Sequence, residues 1–253
     1  MAPEPRTARP PAGPPGRAPG LAVERSLQEG GAHRVGGMDE VGRGALAGPV
    51  TAGVVVLHPG TARGIPGLRD SKLLSPARRE ALVPRIRSWC AASGVGHASP
   101  QEIDGLGLTG ALRLAGQRAL AAAARGGAAP DVVLLDGRHD WLSAAAAPSL
   151  FDAPAAADEP VWTGTVVTRV KADLTCASVA AASVLAKVER DGIMRELSGA
   201  WPQYGWENNK GYGAAGHRAA LEEGGPTPHH RLSWRLTRPA AAAGPSTSGD
   251  ETT

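Results

Sequence analysis

Val35-Gly36-Gly37-Met38-Asp39-Glu40-Val41-Gly42-Arg43-Gly44-Ala45-Leu46-Ala47-Gly48-Pro49-Val50, running on to Leu57, is the stretch that sets the fold. The apolar approach over residues 34–40 predicts a strand, and Val50 to Leu57 predicts a second. A glycine-containing turn joins them. Asp39 and Glu40 stand side by side at the end of the first strand. Acidic residues are disfavoured inside a sheet pair, and an adjacent pair is costly unless something cationic sits on it. Gly42 and Gly44 let backbone approach a ligand closely, and Arg43 offers a planar fork suited to a phosphate. Carboxylates, a basic fork and bare backbone amides point to metal-assisted chemistry on a phosphodiester. For the acidic pair alone, a solvated turn at a strand end is the competing reading.

Working outward, Ser75-Pro76 predicts a helix start with Ser as N-cap and Pro in the first turn. That helix runs towards Cys90, with Pro84 expected to kink or end it. Ser99-Pro100-Gln101-Glu102 is a capping box. Thr109 caps a longer helix with Leu112, Leu120 and interspersed alanines on its buried stripe, stopped by Gly126-Gly127. Val132 to Asp136 is a short buried strand by length and flanks. Residues 141–160 read as an irregular surface insertion. Val166 to Lys171 reads as another strand, Ser178 to Leu197 as a helix with a small-residue face, and 214–223 as a further short helix. Strands interspersed with helices imply an α/β architecture. Residues 1–32 and 239–253, rich in Pro, Ala, Gly and Arg or similar small residues, read as disordered arms around one catalytic unit at 33–238.

Composition narrows the classes. Net charge is +3, compatible with a nucleic-acid partner but no proof of one. Cys90 and Cys176 fit no zinc spacing and read as small buried hydrophobes in a reducing compartment. No apolar run approaches the roughly 18 residues of a membrane span, and the N-terminus lacks a signal-peptide core, so a cytoplasmic protein with no membrane partner is the expectation. Only four of the 27 basic side chains are lysines, Lys72, Lys171, Lys187 and Lys210, and the only asparagines are Asn208 and Asn209. In a chain that leans to Ala, Gly, Pro and Arg, residues that escape the lean mark segments where chemistry is required.

Asp136 closes a buried strand at its carboxyl end, where α/β sheets place ligands. Asp173 follows the last strand and precedes a helix, where it is equally suited to the helix dipole. Four carboxylates gathered from neighbouring strand ends repel one another unless divalent ions occupy the cluster. Oxygen ligands favour Mg²⁺ or Mn²⁺ over zinc, and two such ions can activate water and stabilise the leaving oxygen of a phosphodiester. Adjacent strand residues point to opposite faces, so Asp39 and Glu40 cannot both ligate one metal from a regular strand. Either the strand is distorted or the two acids serve different positions.

The opening run Gly37-Met38-Asp39-Glu40-Val41-Gly42-Arg43-Gly44 to Val50 resembles the signature of bacterial ribonuclease HII, a type 2 ribonuclease H. Four further segments match in order: Asp70-Ser71-Lys72-Leu73-Leu74-Ser75; Leu135-Asp136-Gly137; Lys171-Ala172-Asp173 with Ser178 to Asp191; and Tyr204 to Gly213, continuing through His217 to His230-Arg231. The resemblance covers about residues 34–236. It implies a ribonuclease H-like mixed sheet flanked by helices, with a helical C-terminal portion. It implies cleavage of RNA in RNA–DNA hybrids and incision 5′ of a single ribonucleotide in duplex DNA, leaving 3′-hydroxyl and 5′-phosphate ends. Asp39, Glu40, Asp136 and Asp173 would be the catalytic and metal-binding acids, with Mn²⁺ or Mg²⁺, two during catalysis. Gly42-Arg43-Gly44 would read the ribose 2′-hydroxyl, the group that tells RNA from DNA. Tyr212 would pack on the sugar at the junction. Arg43, Lys72, Lys187, Lys210 and Arg231 are candidates for phosphate contacts.

Two departures stand out: Ala172 replaces a customary glycine, and 141–160 is long. Residues 239–253 contain no aromatic, so a sliding-clamp peptide with paired aromatics is not expected. His217, His229 and His230 read as structural hydrogen-bonders, and the chain as a monomer. The competing functions are a non-catalytic hybrid-binding module and another nuclease on the same fold. Retention of all four acids disfavours the first, and the Gly-Arg-Gly and Asn-Lys-Gly-Tyr segments disfavour the second.

Overall fold

The two strands expected around the Gly-Arg-Gly turn form, and they lie at the middle of one mixed sheet. The computed structural model describes residues 18–143 and 161–236. Its strands are β1 (Val35–Val41), β2 (Val50–Val56), β3 (Ala92–Ala98), β4 (Val132–Asp136) and β5 (Thr165–Arg169), in the order β3-β2-β1-β4-β5. β1, β2 and β3 are antiparallel neighbours, whereas β1–β4 and β4–β5 pair in parallel. β2 shows why the sheet is covered on both faces. Val50, Ala52, Val54 and Val56 pack into one core with Leu112, Ala115 and Leu120. Val55 and Leu57 point the other way, into a core with Ile86, Ala181, Ala182 and Leu185. Alternation with period 2 thus feeds two cores from one strand.

The helices are α1 (Ala22–Glu29), α2 (Pro76–Trp89), α3 (Pro100–Arg125), α4 (Ala172–Thr175), α5 (Ala177–Ala200), α6 (Trp206–Asn209) and α7 (Ala215–Gly224). α3 covers one face of the sheet, and α5 with α2 covers the other. The expected capping box is present: the Ser99 hydroxyl accepts from the Glu102 amide and the Glu102 carboxylate accepts from the Ser99 amide. The two helices expected there join into α3 across a break at Gly107, φ 70°. Pro84 neither ends nor interrupts α2, because Leu82 and Ile86 on either side of it stay buried in the core shared with α5.

Three expectations need correction. β3 was not anticipated, because Gly94 and Gly96 hide its pattern. Those glycines let α3 lie directly on the strand: a β-carbon at Gly94 would come within 2.1 Å of the Ala119 carbonyl oxygen, and one at Gly96 within 2.2 Å of that of Ala115. The arm expected over residues 1–32 contains α1, whose Val23 and Leu27 pack against Leu134, Ala172, Cys176 and Val179. The insertion expected over 141–160 begins with two core residues, Trp141 and Leu142, both buried with Leu112 and Ala115. Residues 1–17, 144–160 and 237–253, including the expected tail, lie outside the described residues.

The C-terminal portion is helical, as expected. Leu46 and Ala47 of the turn after β1 join Met194, Tyr204, Trp206 and Leu221 in a separate small core. That core fastens the 204–230 region to the turn. Among the described residues no helix is long and apolar enough to cross a membrane.

Candidate active site

The parallel strands bring the acids to one level. The last register pair of β1 and β4 is Met38 with Leu135, so Asp39 and Asp136 stand side by side one step beyond it, with Asp39 still paired to Gly53 of β2. β5 runs parallel to β4 with Asp136 opposite Arg169, and the chain then turns through Lys171 into α4, which carries Asp173. The three acids therefore sit at the carboxyl ends of three adjacent parallel strands, the edge at which open α/β sheets bind ligands. The Ala172 amide donates to Asp136 Oδ1 at 2.7 Å and ties α4 to β4.

The Asp39–Glu40 difficulty has a structural answer. The Glu40 amide donates to Asp39 Oδ1 at 2.8 Å, folding the Asp39 carboxylate back along the strand. Glu40 leans to Arg43, whose Nη1 lies 3.5 Å from Oε1. Both carboxylates nonetheless feel the charge of Asp136. The two acids approach the same partner from different sides.

The cluster is short of positive charge. Burial, with repulsion from Glu40 and Asp136, raises the Asp39 carboxyl well above the usual carboxylate range. Burial and Asp136 raise Glu40 against the pull of Arg43. Burial, Asp136 and Asp70 raise Asp173. Besides Arg43 at Glu40, Lys72 reaches in, its Nζ 3.9 Å from Asp173 Oδ2. Burial opposes the ammonium charge, but Asp70, Asp39, Asp173 and Asp136 outweigh it and raise the Lys72 pKa. Asp70 is an acid the sequence reading left without a role. It caps the 3₁₀ turn Ser71–Leu73 by accepting from the Lys72 amide at 3.1 Å, and so aims Lys72 at the cluster.

Among the described residues no three His, Cys, Asp or Glu side chains close into a ready-made metal cage. The donor set fits a hard cation all the same. It consists of carboxylate oxygens in a half-buried anionic cleft, and Mg²⁺ in particular is held by one or two carboxylates while water and phosphate oxygens complete its shell. Asp39, Glu40, Asp136 and Asp173 are the residues that could hold it.

Beside the acids lies the turn. Gly42 has φ 86°, and a β-carbon there would fall 2.1 Å from Arg190 Nε, so no other residue fits. At Gly44 an added β-carbon would meet nothing within 4 Å, which leaves the backbone bare to an incoming ligand. Two buried arginines hold the turn from beneath. Arg231 donates to the carbonyls of Gly42 at 2.6 Å, Arg43 at 2.9 Å and Gly48 at 3.1 Å. Arg190 donates to Pro49 at 2.9 Å, Lys210 at 2.9 Å and Ala47 at 3.2 Å. Burial, followed by the Arg190 charge, pushes Arg231 down to about 9. Arg231 therefore does not face a phosphate, and Arg190 is no solvated surface residue; both are structural clamps. Leu46 and Ala47 donate their amides to the Gly211 carbonyl, so turn and Tyr212 loop form one unit. Tyr212 is 38% exposed, with the Arg190 guanidinium 5.5 Å from its ring centre.

The remaining candidate cations gather elsewhere. Lys187 Nζ bonds Asp191 Oδ1 at 2.7 Å, and Asp191 Oδ2 is 3.5 Å from Arg79. Lys210 donates to the Glu207 carbonyl, and burial with the charges of Arg195 and Lys187 lowers its pKa. Lys72 and Arg43 thus share the acids' cleft, whereas Lys187 and Lys210 neighbour Asp191.

Beneath Tyr212 lies a histidine pair. Trp206 Nε1 can only donate, so His217 Nε2, at 3.2 Å, accepts and the ring proton is on Nδ1, donated to the Tyr212 carbonyl at 2.9 Å. His230 Nε2, 3.0 Å from the same His217 nitrogen, must donate, and its Nδ1 accepts from the Thr227 amide at 2.9 Å. Both rings are neutral. Burial and the neighbouring His217 lower His230 from 6.5 to about 4. Because the unfolded chain binds this proton more readily than the folded one, the His230 contribution to stability is complete above pH about 6.5 and falls as the pH drops towards 4. Denaturant titrations should show a loss of about 3 kcal/mol at most over that window. His230→Gln should remove most of that slope; an unchanged slope would show that other groups set it.

A family model for Ribonuclease HII matches residues 36–237. The Ribonuclease HII of Streptomyces coelicolor is 48% identical over 221 residues, 87% of this chain and 85% of that protein. The Ribonuclease HII of Synechococcus sp. is 43% identical over 202 residues, 79% of this chain and 90% of that protein. The crystal structure of the ribonuclease H2 from Pyrococcus horikoshii OT3 superposes with a TM-score of 0.56 at 26% identity, covering 80% of this chain and 94% of that one. The mixed sheet, the acids at its parallel strand ends and a match over nearly the whole described chain lead to one conclusion: this chain belongs to the ribonuclease HII family, metal-dependent endoribonucleases of the type 2 ribonuclease H class that act on RNA–DNA hybrids.

Proposed function

We propose that this chain cleaves the RNA strand of RNA–DNA hybrids and also incises 5′ of a single ribonucleotide in duplex DNA, leaving 3′-hydroxyl and 5′-phosphate ends. The observation that carries the reading is the meeting of Asp39, Glu40, Asp136 and Asp173 beside the bare Gly44 backbone of the turn. The four acids would hold two divalent cations, Mg²⁺ or Mn²⁺. Bound there, the ions would supply an activated water and charge stabilisation for the leaving oxygen.

The chain's own residues do the rest. Lys72 and Arg43, at the mouth of the acid cleft, would meet the phosphates flanking the scissile one. The exposed Gly44 backbone would sit against the ribose, where a donor or acceptor distinguishes a 2′-hydroxyl from hydrogen. Tyr212, backed by Arg190, would lay its ring on the neighbouring sugar and fix the phosphate's place over the acids. Lys187 and Lys210 could extend the phosphate track beyond the cleft.

The test is a DNA duplex containing one ribonucleotide, incubated in Mg²⁺, in Mn²⁺ or in chelator. Incision 5′ of the ribonucleotide in either metal and none in chelator is the expected result. Intact duplex in both metals would overturn the junction activity. In the same assay Tyr212→Ala should lose about tenfold in rate through lost positioning while the half-exposed ring costs little stability. An unchanged rate would remove Tyr212 from the site.

A further inference from the structure

We infer that Glu24, in the N-terminal helix, is a positioning residue for the Asp136–Asp173 half of the acid cluster. The inference rests on the reading of those two acids as metal-holding.

α4 is one turn of four residues, entered through Lys171 in the left-handed region at φ 58°. A single turn does not hold itself. Yet it carries Asp173, and its Ala172 amide orients Asp136. What fixes it comes from the far end of the chain. The Gly20 amide donates to the Thr175 carbonyl at 3.0 Å, and the Ala177 amide donates to the Gly20 carbonyl at 2.8 Å. Glu24 Oε1 then accepts from both the amide and the hydroxyl of Ser178, at 3.0 and 2.8 Å. On its other side Ser178 presses on β1: a β-carbon at Gly37 would lie 2.4 Å from the Ser178 carbonyl carbon. Ser178 is therefore gripped between Glu24 and the strand that, two residues on, presents Asp39.

The chemistry of Glu24 is out of proportion to anchoring. The side chain is 1% exposed, and its Oε2 is buried with no hydrogen-bond partner among the described residues. Half-satisfied burial of a carboxylate is costly, and an apolar residue beside Val23 and Leu27 would dock α1 at lower cost. What the carboxylate adds is a directional hold on the segment that carries Asp173 into the site. Supporting partners of this kind typically change metal affinity by about 10- to 100-fold when removed.

The experiment uses the full chain with Glu24→Ala and Glu24→Gln. One readout is Mn²⁺ affinity by titration calorimetry without nucleic acid; the other is kcat and KM on an RNA–DNA hybrid well below Tm. Glu24→Ala should weaken Mn²⁺ binding and lower kcat by about tenfold each, with KM for the hybrid unchanged. Glu24→Gln keeps the accepting oxygen and should return both to within about twofold of wild type, because the role is geometric. A lower Tm with unchanged Mn²⁺ affinity and kcat would overturn the inference, as would Gln behaving like Ala. Should Glu24→Ala fail to fold, Ser178→Ala removes the hydroxyl donor and keeps the amide; Mn²⁺ binding weakened about twofold or more supports the role, and unaltered binding overturns it. If the wild-type chain leaves hybrid intact, the functional reading fails, while the Mn²⁺ titration still decides on Glu24.

Discussion

Asp136→Asn is expected to lower hybrid cleavage about a thousandfold while leaving the fold at least as stable as the wild type in chelator. Metal-held charge stabilisation is worth several kcal/mol, and each ~1.4 kcal/mol is tenfold in rate. The fold should survive because Asn keeps an accepting oxygen for the Ala172 amide, now at 2.7 Å from Oδ1. Stability should hold or rise because Asp136 contributes to the raised pKa values of Asp39, Glu40 and Asp173, and neutralising it relieves that repulsion. Hybrid binding, carried by cations and backbone, should be largely retained. A steady-state assay, a melting curve and a binding isotherm together decide the matter. Full activity would reject the assigned role, and a melting point several degrees lower would move the effect into folding.

Arg231→Met should act in the opposite way, on stability first. The substitution keeps most of the volume but strips donors from the carbonyls of Gly42, Arg43 and Gly48. Each buried carbonyl left without a partner costs about 1–3 kcal/mol. Relief of a buried guanidinium offsets part of that, and about 4 kcal/mol of net loss is expected. For a domain of this size, that lowers Tm by about 10 °C. Loss of the stacking on Trp234, whose ring centre lies 4.8 Å from the guanidinium, adds in the same direction. A melting point within two or three degrees of wild type would show that water satisfies the turn without the arginine.

The parts of this molecule that sequence revealed are those where local pattern and tertiary role agree. β1, β2 and β4 are short, valine- and leucine-rich runs bounded by turn residues, and the Ser99–Glu102 box announces α3 outright. Asp39, Glu40, Asp136 and Asp173 stood out because acids at strand ends violate the ordinary economy of a sheet. The residues that escaped do so for identifiable reasons. β3 is built from small residues because α3 rests on its backbone, so its hydrophobic signal is in the partner helix. α1 is embedded in Pro-, Ala- and Arg-rich composition, and beside the Glu24–Ser178 bonds it offers Val23 and Leu27 to the core beneath it. Arg190 and Arg231 look like solvent-facing or phosphate-facing cations in a chain rich in arginine. Their targets are main-chain carbonyls of residues 42–49 and 210, and no residue type advertises a carbonyl in need of a donor. Glu24 is hidden more deeply still, since its partner Ser178 lies 154 positions away.

Lys72 leaves a practical legacy. With its ammonium leaning over Asp173, the protein carries a tethered counter-ion into its own anionic mouth. Stripping the sample of divalents during purification therefore leaves the mouth partly neutralised from within. The expected result is a melting temperature in chelator that falls by a few degrees when Lys72 is replaced by Met, read by a thermal melt.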